Sequence, residues 1–517
     1  MIKMVKASET LSFNYDRLMG KGKEIAILQS AVSIVRWDME TKMPPKGIML
    51  RSQQLALLSR IEHKMSTDPE IGRLLEKIVR HLDYDSLDKL QKRNVYLIKK
   101  NYDEMTKLPE ELVAETARQR AVTINTWKKA KTAKDFSMLK PELEKLVELR
   151  KKAAEILMDV KRTETPYDAL IDIFEPKMTA KMITKIFKEL KNGLISIIEK
   201  CEAAPKQPDF SVLQRKVPID IQRKISSSFV KFMEYDVESK EAGGRVDETE
   251  HPFTTGYYDD VRITTHYHEE NFASSVFSIL HEGGHATYEQ NLKREWMYQP
   301  IGTGCSTGFH ESQSRFLENI IGRSWEFWIY YLPKLKELTG EIFSDIELDE
   351  FIRAINRINR SKIRIEADEL TYCLHIIIRF EIERELISGK IKVAELPQIW
   401  NQKYEEYLGV DIENDSEGVM QDTHWASGLY GYFPTYALGN IYSGQILATM
   451  EKDVPDWRNQ IAKGNFHNIK QWLIKNLYSY GDLYDPPKLI KKITGEGITV
   501  KPYLDYLNKK YSKLYMC

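Results

Sequence analysis

The sequence predicts a mainly α-helical fold carrying one small β-sheet, and three observations support that prediction. Only 26 Gly and 19 Pro occur in 517 residues, about 9% where globular chains average about 12%. All-β and disordered chains need more turn formers than this. Apolar side chains recur at spacings of three and four along most of the chain, the period of a half-buried helix. A single stretch, His251–Tyr267 (HPFTTGYYDDVRITTHY), is rich in Thr, Tyr and Val around a central Asp-Asp and reads as a hairpin or small sheet.

In chain order, Pro44-Pro45 marks a helix break. The stretch 69–98 sets Ile71, Leu74, Leu75, Ile78, Val79 and Leu82 in one apolar stripe, with Asp68 as N-cap and Pro69 in the first turn. Pro109 and Pro141 are also expected in first turns, and 138–160 repeats the stripe through Leu143, Leu146, Val147 and Leu157. The Lys- and Glu-rich runs between these residues read as solvated faces. AAPKQPDF at 203–210 is the only linker-like segment. It divides the chain, expected to be one domain over 1–517, into an N-terminal helical part to about residue 205 and a second part from about residue 210. Periodic apolar segments resume at Phe272 and run to about Tyr404, and the C-terminal 80 residues mix helices with aromatic loops.

Charge and composition narrow the function classes. Lys+Arg and Asp+Glu each total 76, so no basic surplus favours nucleic acid as a partner. No run of 18 apolar residues suggests a membrane span, and the N-terminal MIKMVKASETLSFNYDRL lacks the apolar core of an export signal. Four dispersed cysteines (Cys201, Cys305, Cys373, Cys517) suit a reducing cytoplasm. Of 11 histidines, eight (His251, His266, His268, His281, His285, His310, His375, His424) lie between residues 251 and 424.

Within that span, His281-Glu282-Gly283-Gly284-His285 is an HExxH motif. On a helix its two histidines lie one turn apart on one face, so both imidazoles reach a single Zn²⁺. Glu282, offset by one residue, instead reaches a water on the metal, the position of a general base. Two glycines inside a helix cost about 1 kcal/mol each relative to Ala, tolerable where something approaches the backbone closely. The Gly and His that would extend a metzincin site are replaced by Tyr288 and Asn291. Glu311, opening a helix 26 residues after His285, completes a His₂Glu set with one open position, the catalytic form of zinc site. His310 is the rival ligand. The loop GTGCSTG at 302–308 lacks phosphate-cradle spacing and reads as a flexible, substrate-facing loop, with Cys305 a buried bystander.

An ordered set of motifs resembles the M32 metallocarboxypeptidases, the thermostable carboxypeptidase Taq type. They are HPF (His251–Phe253), DxRxT (Asp260–Thr264), HExxH (His281–His285), HES (His310–Ser312), IRxxAD (Ile363–Asp368) and GxxQDxHW (Gly418–Trp425), with WDMETKMPP (Trp37–Pro45) upstream. The resemblance implies a large helical zincin, a saddle with a deep groove like neurolysin and angiotensin-converting enzyme, usually a homodimer. It implies release of single residues from peptides with a free C-terminus, with broad side-chain tolerance and poor action next to proline. It maps one zinc ion per chain onto His281, His285 and Glu311, with Glu282 as base; Co²⁺ or Mn²⁺ suits the same ligands.

A carboxypeptidase also needs a fixed cation for the substrate's terminal carboxylate, and arginine's fork suits it. The resemblance assigns that anchor to Arg364 and places Arg262 at the end wall of the groove, with His251 and Asp260 of the neighbouring motifs as substrate-binding candidates. A structural ion pair, for example Arg364 with Glu366 or Asp368, is the competing reading. His424 and Tyr436 are candidate donors to the oxyanion, and Asp422 a candidate to orient a histidine. His266, His268 and His375 read as packing or surface residues. Two other functions stay open: an oligoendopeptidase or dipeptidyl carboxypeptidase of the same fold class, and a non-enzymatic helical scaffold.

Overall fold

The computed structural model describes residues 2–517, with side chains from residue 11 onward; the reading of the first ten residues as free of an export signal therefore concerns side chains outside the described ones. Helices α1 (Ile2–Thr41), α2 (Ile48–Ser66), α3 (Pro69–Val79), α4 (Lys89–Lys107), α5 (Glu110–Ala133), α6 (Lys140–Lys161), α7 (Pro166–Phe174), α8 (Ala180–Glu202) and α9 (Ile219–Phe232) fill the first half. Strands β1 (Gly244–Glu248), β2 (Thr254–Tyr257) and β3 (Asp260–Thr265) follow. The rest is helical again: α10 (Phe272–Gln290), α11 (Thr307–Arg315), α12 (Trp325–Thr339), α13 (Leu348–Ile355), α14 (Tyr372–Ile387), α15 (Leu396–Leu408), α16 (Pro434–Asp453), α17 (Trp457–Ala462), α18 (His467–Asn476), α19 (Pro486–Thr494) and α20 (Lys501–Tyr515). Among the described residues no helix is long and apolar enough to cross a membrane.

The caps decide the boundaries. Asp68 accepts the Glu70 amide and Pro69 opens α3, as expected. The apolar stripe then buries Ile71, Leu74, Leu75 and Ile78. It stops there: Val79 is at the edge, Leu82 is 97% exposed, and the chain turns before Asp88 caps α4. One apolar pattern over 69–98 is thus two helices, because Arg80–Ser86 offers no second buried face. Pro109 is the N-cap of α5 rather than a first-turn residue.

The sheet has order β1-β3-β2, β2 antiparallel and β1 parallel to β3. The hairpin is the predicted one; β1 was not legible, since GRVDE holds one apolar side chain. Val261 and Ile263 of β3 are fully buried beneath α10, which brings the edge strand β2 alongside the HExxH helix. A large core spans residues 130–515, and a smaller one joins Leu11 and Leu18 of α1 to α3 and Val95 of α4.

Candidate metal centre

Helix α10 starts at its N-cap Asn271 and buries Phe272, Val276, Ile279 and Leu280. That places His281 and His285 on one partly buried flank, facing the cleft. Its two glycines face neighbours: a Cβ on Gly283 would sit 2.3 Å from Met233 Sδ, and one on Gly284 would sit 2.3 Å from the Gln313 carbonyl oxygen. The expected close backbone approach is therefore α11 itself, capped by Ser306 and carrying Glu311. On its far side, Gly439 of α16 leaves room for Glu311, whose Cγ lies 2.7 Å from where a Cβ would be.

The three predicted ligands converge. Glu311 Oε2 lies 3.8 Å from His281 Nε2 and 3.5 Å from His285 Nε2. Donors held about 2.1 Å from one tetrahedral ion are separated by roughly 3.4 Å. One ligand atom from each residue falls within 4.8 Å of the other two. Imidazole and carboxylate donors, with each histidine's other nitrogen already engaged, fit a divalent ion. His281 Nδ1 lies 2.8 Å from Glu318 Oε2, and His285 Nδ1 lies 2.7 Å from His310 Nδ1. His310 in turn binds Glu289 at 2.7 Å. The rival ligand therefore orients a ligand, its second nitrogen turned away from the donors. Arg315 donates to Glu311 Oε1 at 2.7 Å and to Glu318 at 3.2 Å, while Glu311 Oε2, which accepts the Ser314 hydroxyl at 3.2 Å, faces the histidines.

The charges agree with a cation site. Burial opposes ionisation of Glu311, but Arg315, His281 and His285 outweigh it and hold its carboxyl well below the usual range. Burial likewise opposes Glu318, which Arg315 and His281 bring down to about 2. Burial pushes His285 down to about 4, a neutral imidazole. Burial also lowers His281, yet Glu311 and Glu318 overcome it and raise the net value; a divalent cation would neutralise that negative field. Glu282 is 6% exposed. Burial raises its carboxyl, and its Oε2 accepts the Thr254 hydroxyl of β2 at 2.6 Å.

These residues open on a cleft of about 760 Å³, lined by His281, Glu282, His285, Glu311 and Tyr436 and, across it, by Lys100 of α4. The 302–308 loop lines it as expected but is tied down: Glu175 accepts Ser306 Oγ at 2.8 Å and the Gly308 amide at 2.9 Å. Cys305 is buried as expected, its thiol donates to the Tyr484 carbonyl, and burial pushes its pKa well up.

The remaining candidates form two groups. In one, Asp422 sits between two guanidinium groups. Arg364 Nη2 lies 2.8 Å from it and Arg379 Nε 2.7 Å from it. Tyr436, whose ring lies 5.2 Å from Arg364, bonds His424 Nε2 at 3.2 Å. The ion-pair partner of Arg364 is thus Asp422, not Glu366 or Asp368. Asp422 lies 4.0 Å from His424 Nδ1, so it orients arginines rather than that histidine. Burial takes His424 down to about 4, and its Nδ1 is buried without a partner. In the other group, Arg262 is clamped by Asp260 at 2.7 and 2.8 Å and stacks 4.2 Å over Trp37. His251 is exposed beside Pro252 and Phe253, which do line the cleft. His266 and His268 stack on each other, and His375 is fully buried against Tyr404.

Sequence reasoning missed Glu318, Arg315 and Arg379. The first two had a signal, since Arg315 and Glu318 stand four and seven residues after Glu311, on its helix face. A π-helical turn at Phe316–Ile321 adjusts the second. Arg379 had none, being one cation in the apolar run of α14.

A family model described as carboxypeptidase Taq (M32) metallopeptidase matches residues 17–511. Carboxypeptidase 1 of Bacillus subtilis is 41% identical over 495 residues, covering 96% of this chain and 97% of that one. Thermostable carboxypeptidase 1 of Thermus thermophilus is 38% identical over 509 residues, covering 97% and 99%. The crystal structure of the M32 carboxypeptidase from Deinococcus radiodurans superposes with a TM-score of 0.93 at 34% identity, covering 98% and 100%.

Proposed function

The chain belongs to the carboxypeptidase Taq (M32) metallopeptidase family, and from that premise we propose a zinc-dependent carboxypeptidase that releases single residues from peptide C-termini. Peptide hydrolysis of the carboxypeptidase type follows from membership; zinc, the roles below, broad specificity and poor action next to proline are the proposal. The observation that carries it is the convergence of His281, His285 and Glu311 on one point of a cleft that Glu282 also lines.

His281, His285 and Glu311 hold the ion, fixed in orientation by Glu318, His310 and Arg315. A bound zinc ion supplies Lewis acidity, polarising a carbonyl and acidifying water to a pKa of about 7. Glu282, raised by burial and steadied by Thr254, takes the proton of the attacking water and returns it to the leaving amine. Tyr436 faces the cleft with His424 behind it, so the tyrosine hydroxyl is the nearer donor for the oxyanion. Arg364, with Asp422 and Tyr372 fixing its fork, is the proposed carboxylate anchor. Arg262, with Asp260 and His251 on the sheet side, closes the groove.

Glu282→Gln removes the base while sparing the three ligands. The expected outcome is unchanged metal content with turnover down by at least about 10³-fold; activity within tenfold of the parent would reject the assignment. A second reading, dipeptidyl carboxypeptidase or oligoendopeptidase, draws on one observation. A further cavity of about 440 Å³ adjoins the cleft through Leu97, Asn101, Glu289 and Thr303, room for a longer peptide.

The proposal extends to one working unit over 1–517, acting in the cytoplasm on free peptides, with neither nucleic acid nor membrane as partner. A homodimer is part of it, and Met49 and Leu50 of α2, 71% and 61% exposed, are side chains that a second copy would cover.

A further inference from the structure

Beyond the cleft, two of the four cysteines lie side by side. Cys201, Cys305 and Cys373 are buried and Cys517 is partly exposed; Cys201 and Cys517, 316 positions apart, bring their sulfurs to 3.9 Å. Their meeting is built into the packing of α8 and α20. Gly193 lacks the Cβ that would strike Leu504, Lys200 Nζ bonds Ser512 Oγ at 2.8 Å, and Cys201 then meets Cys517. Contacts that advance together along both helices define a parallel pair. Past α20 the chain bends at Met516, with φ 56°, and the Cys517 amide donates to the Ser512 carbonyl at 3.1 Å. That is a helix C-cap that folds the next residue back, so the Cys517 side chain is placed on α8 by backbone geometry.

We propose that Cys201 and Cys517 form a redox-dependent cross-linking site, at which a disulfide staples α20 to α8. The half-buried Cys517 is the entry thiol. Its thiolate attacks one sulfur of a small-molecule disulfide such as oxidised glutathione, expelling one thiolate and leaving a mixed disulfide. Cys201 gives up its proton to that expelled thiolate, attacks the Cys517 sulfur and expels the second thiolate, which takes up the proton that Cys517 released. In sum two protein thiols are oxidised and one disulfide is reduced to two thiols. The sulfurs close from 3.9 Å to roughly 2.0 Å, within reach of a rotation of the Cys517 side chain. Burial and the adjacent Cys517 push the Cys201 thiol up, so Cys517, partly exposed, is the thiol that reacts first.

The staple acts on the scaffold. Tyr503 of α20 packs where Gly444 of α16 lacks a side chain, and Gly439 of the same helix packs on Glu311. A covalent tie between α8 and α20 raises resistance to unfolding and leaves turnover alone.

The test uses the full chain incubated with oxidised glutathione, or with dithiothreitol, then alkylated in denaturant. Intact mass and peptide mapping follow. The expected result is an intramolecular Cys201–Cys517 link, two alkylatable thiols remaining at Cys305 and Cys373, and a Tm about 3–5 °C above the reduced form. Cys201→Ser and Cys517→Ser should fold, keep activity and lose the redox dependence of Tm. A stable glutathione adduct on Cys517 without the link, a bond to another cysteine or between chains, or equal Tm in both redox forms would overturn the proposal.

Discussion

Glu311 shows how one side chain is divided between scaffold and chemistry: one oxygen is held by Arg315, and the other faces two imidazoles. The same logic applies to His281, whose ring is fixed from behind by Glu318. Glu318→Gln keeps the shape but removes the anion that favours Nε2 as the ligand nitrogen. Metal affinity should fall about 10–100-fold, measured by competition with a chelator; an unchanged affinity would remove Glu318 from the site. His281, Glu282 and His285 were legible because HExxH encodes geometry in spacing alone. Arg379 was not, because the carboxylate that neutralises this fully buried arginine is Asp422, 43 residues away. The supporting role of His310 was hidden for a related reason: the choice between ligand and orienter depends on ring direction, which no spacing reports.

The glycines of α10 make a prediction at the scale of helix packing. Alanine at 284 would strike backbone of α11, whereas alanine at 283 would strike the thioether end of the unbranched Met233 side chain. Gly284→Ala should therefore cost about 1–3 kcal/mol of stability and weaken metal binding by separating His285 from Glu311. Gly283→Ala should cost less on both counts, and the reverse order in thermal melts and metal titrations would contradict this packing.

The N-terminus of α11 makes another. Glu175, fully buried, is pushed up to about 7 by burial despite Ser306, Gly308 and Tyr442. In the unfolded chain it titrates near 4.5. Between those values the folded state keeps a proton that the unfolded state has released, so this group's contribution falls as pH rises from about 4.5 to 7, by on the order of 3 kcal/mol. Glu175→Gln can donate to the two hydroxyls and accept from Gly308. It should fold and show a flatter dependence of Tm on pH across that window, with an unchanged slope counting against the assignment. The limits of sequence reading also show among the elements. Helix type was readable from period and caps, but the break between α3 and α4 and the parallel strand β1 depend on which face finds a partner, and local pattern carries no such information.

For the whole molecule, the zero net charge coexists with strongly polarised local fields: carboxylates around the histidines, and two arginines about Asp422. Function depends on that arrangement, and the sparse glycines are spent where helices must touch or turn. The N-terminal helices contribute one wall of the cleft through Leu97, Lys100 and Glu104, so the two halves of the sequence meet at the chemistry. The measurement that tests the account most directly is mass spectrometry of one peptide offered as free acid and as C-terminal amide, to metal-stripped enzyme with and without added Zn²⁺. A zinc carboxypeptidase yields ladders losing single C-terminal residues from the acid alone, and only after zinc is restored. Dipeptide or internal products, equal cleavage of the amide, or full activity without metal would contradict it.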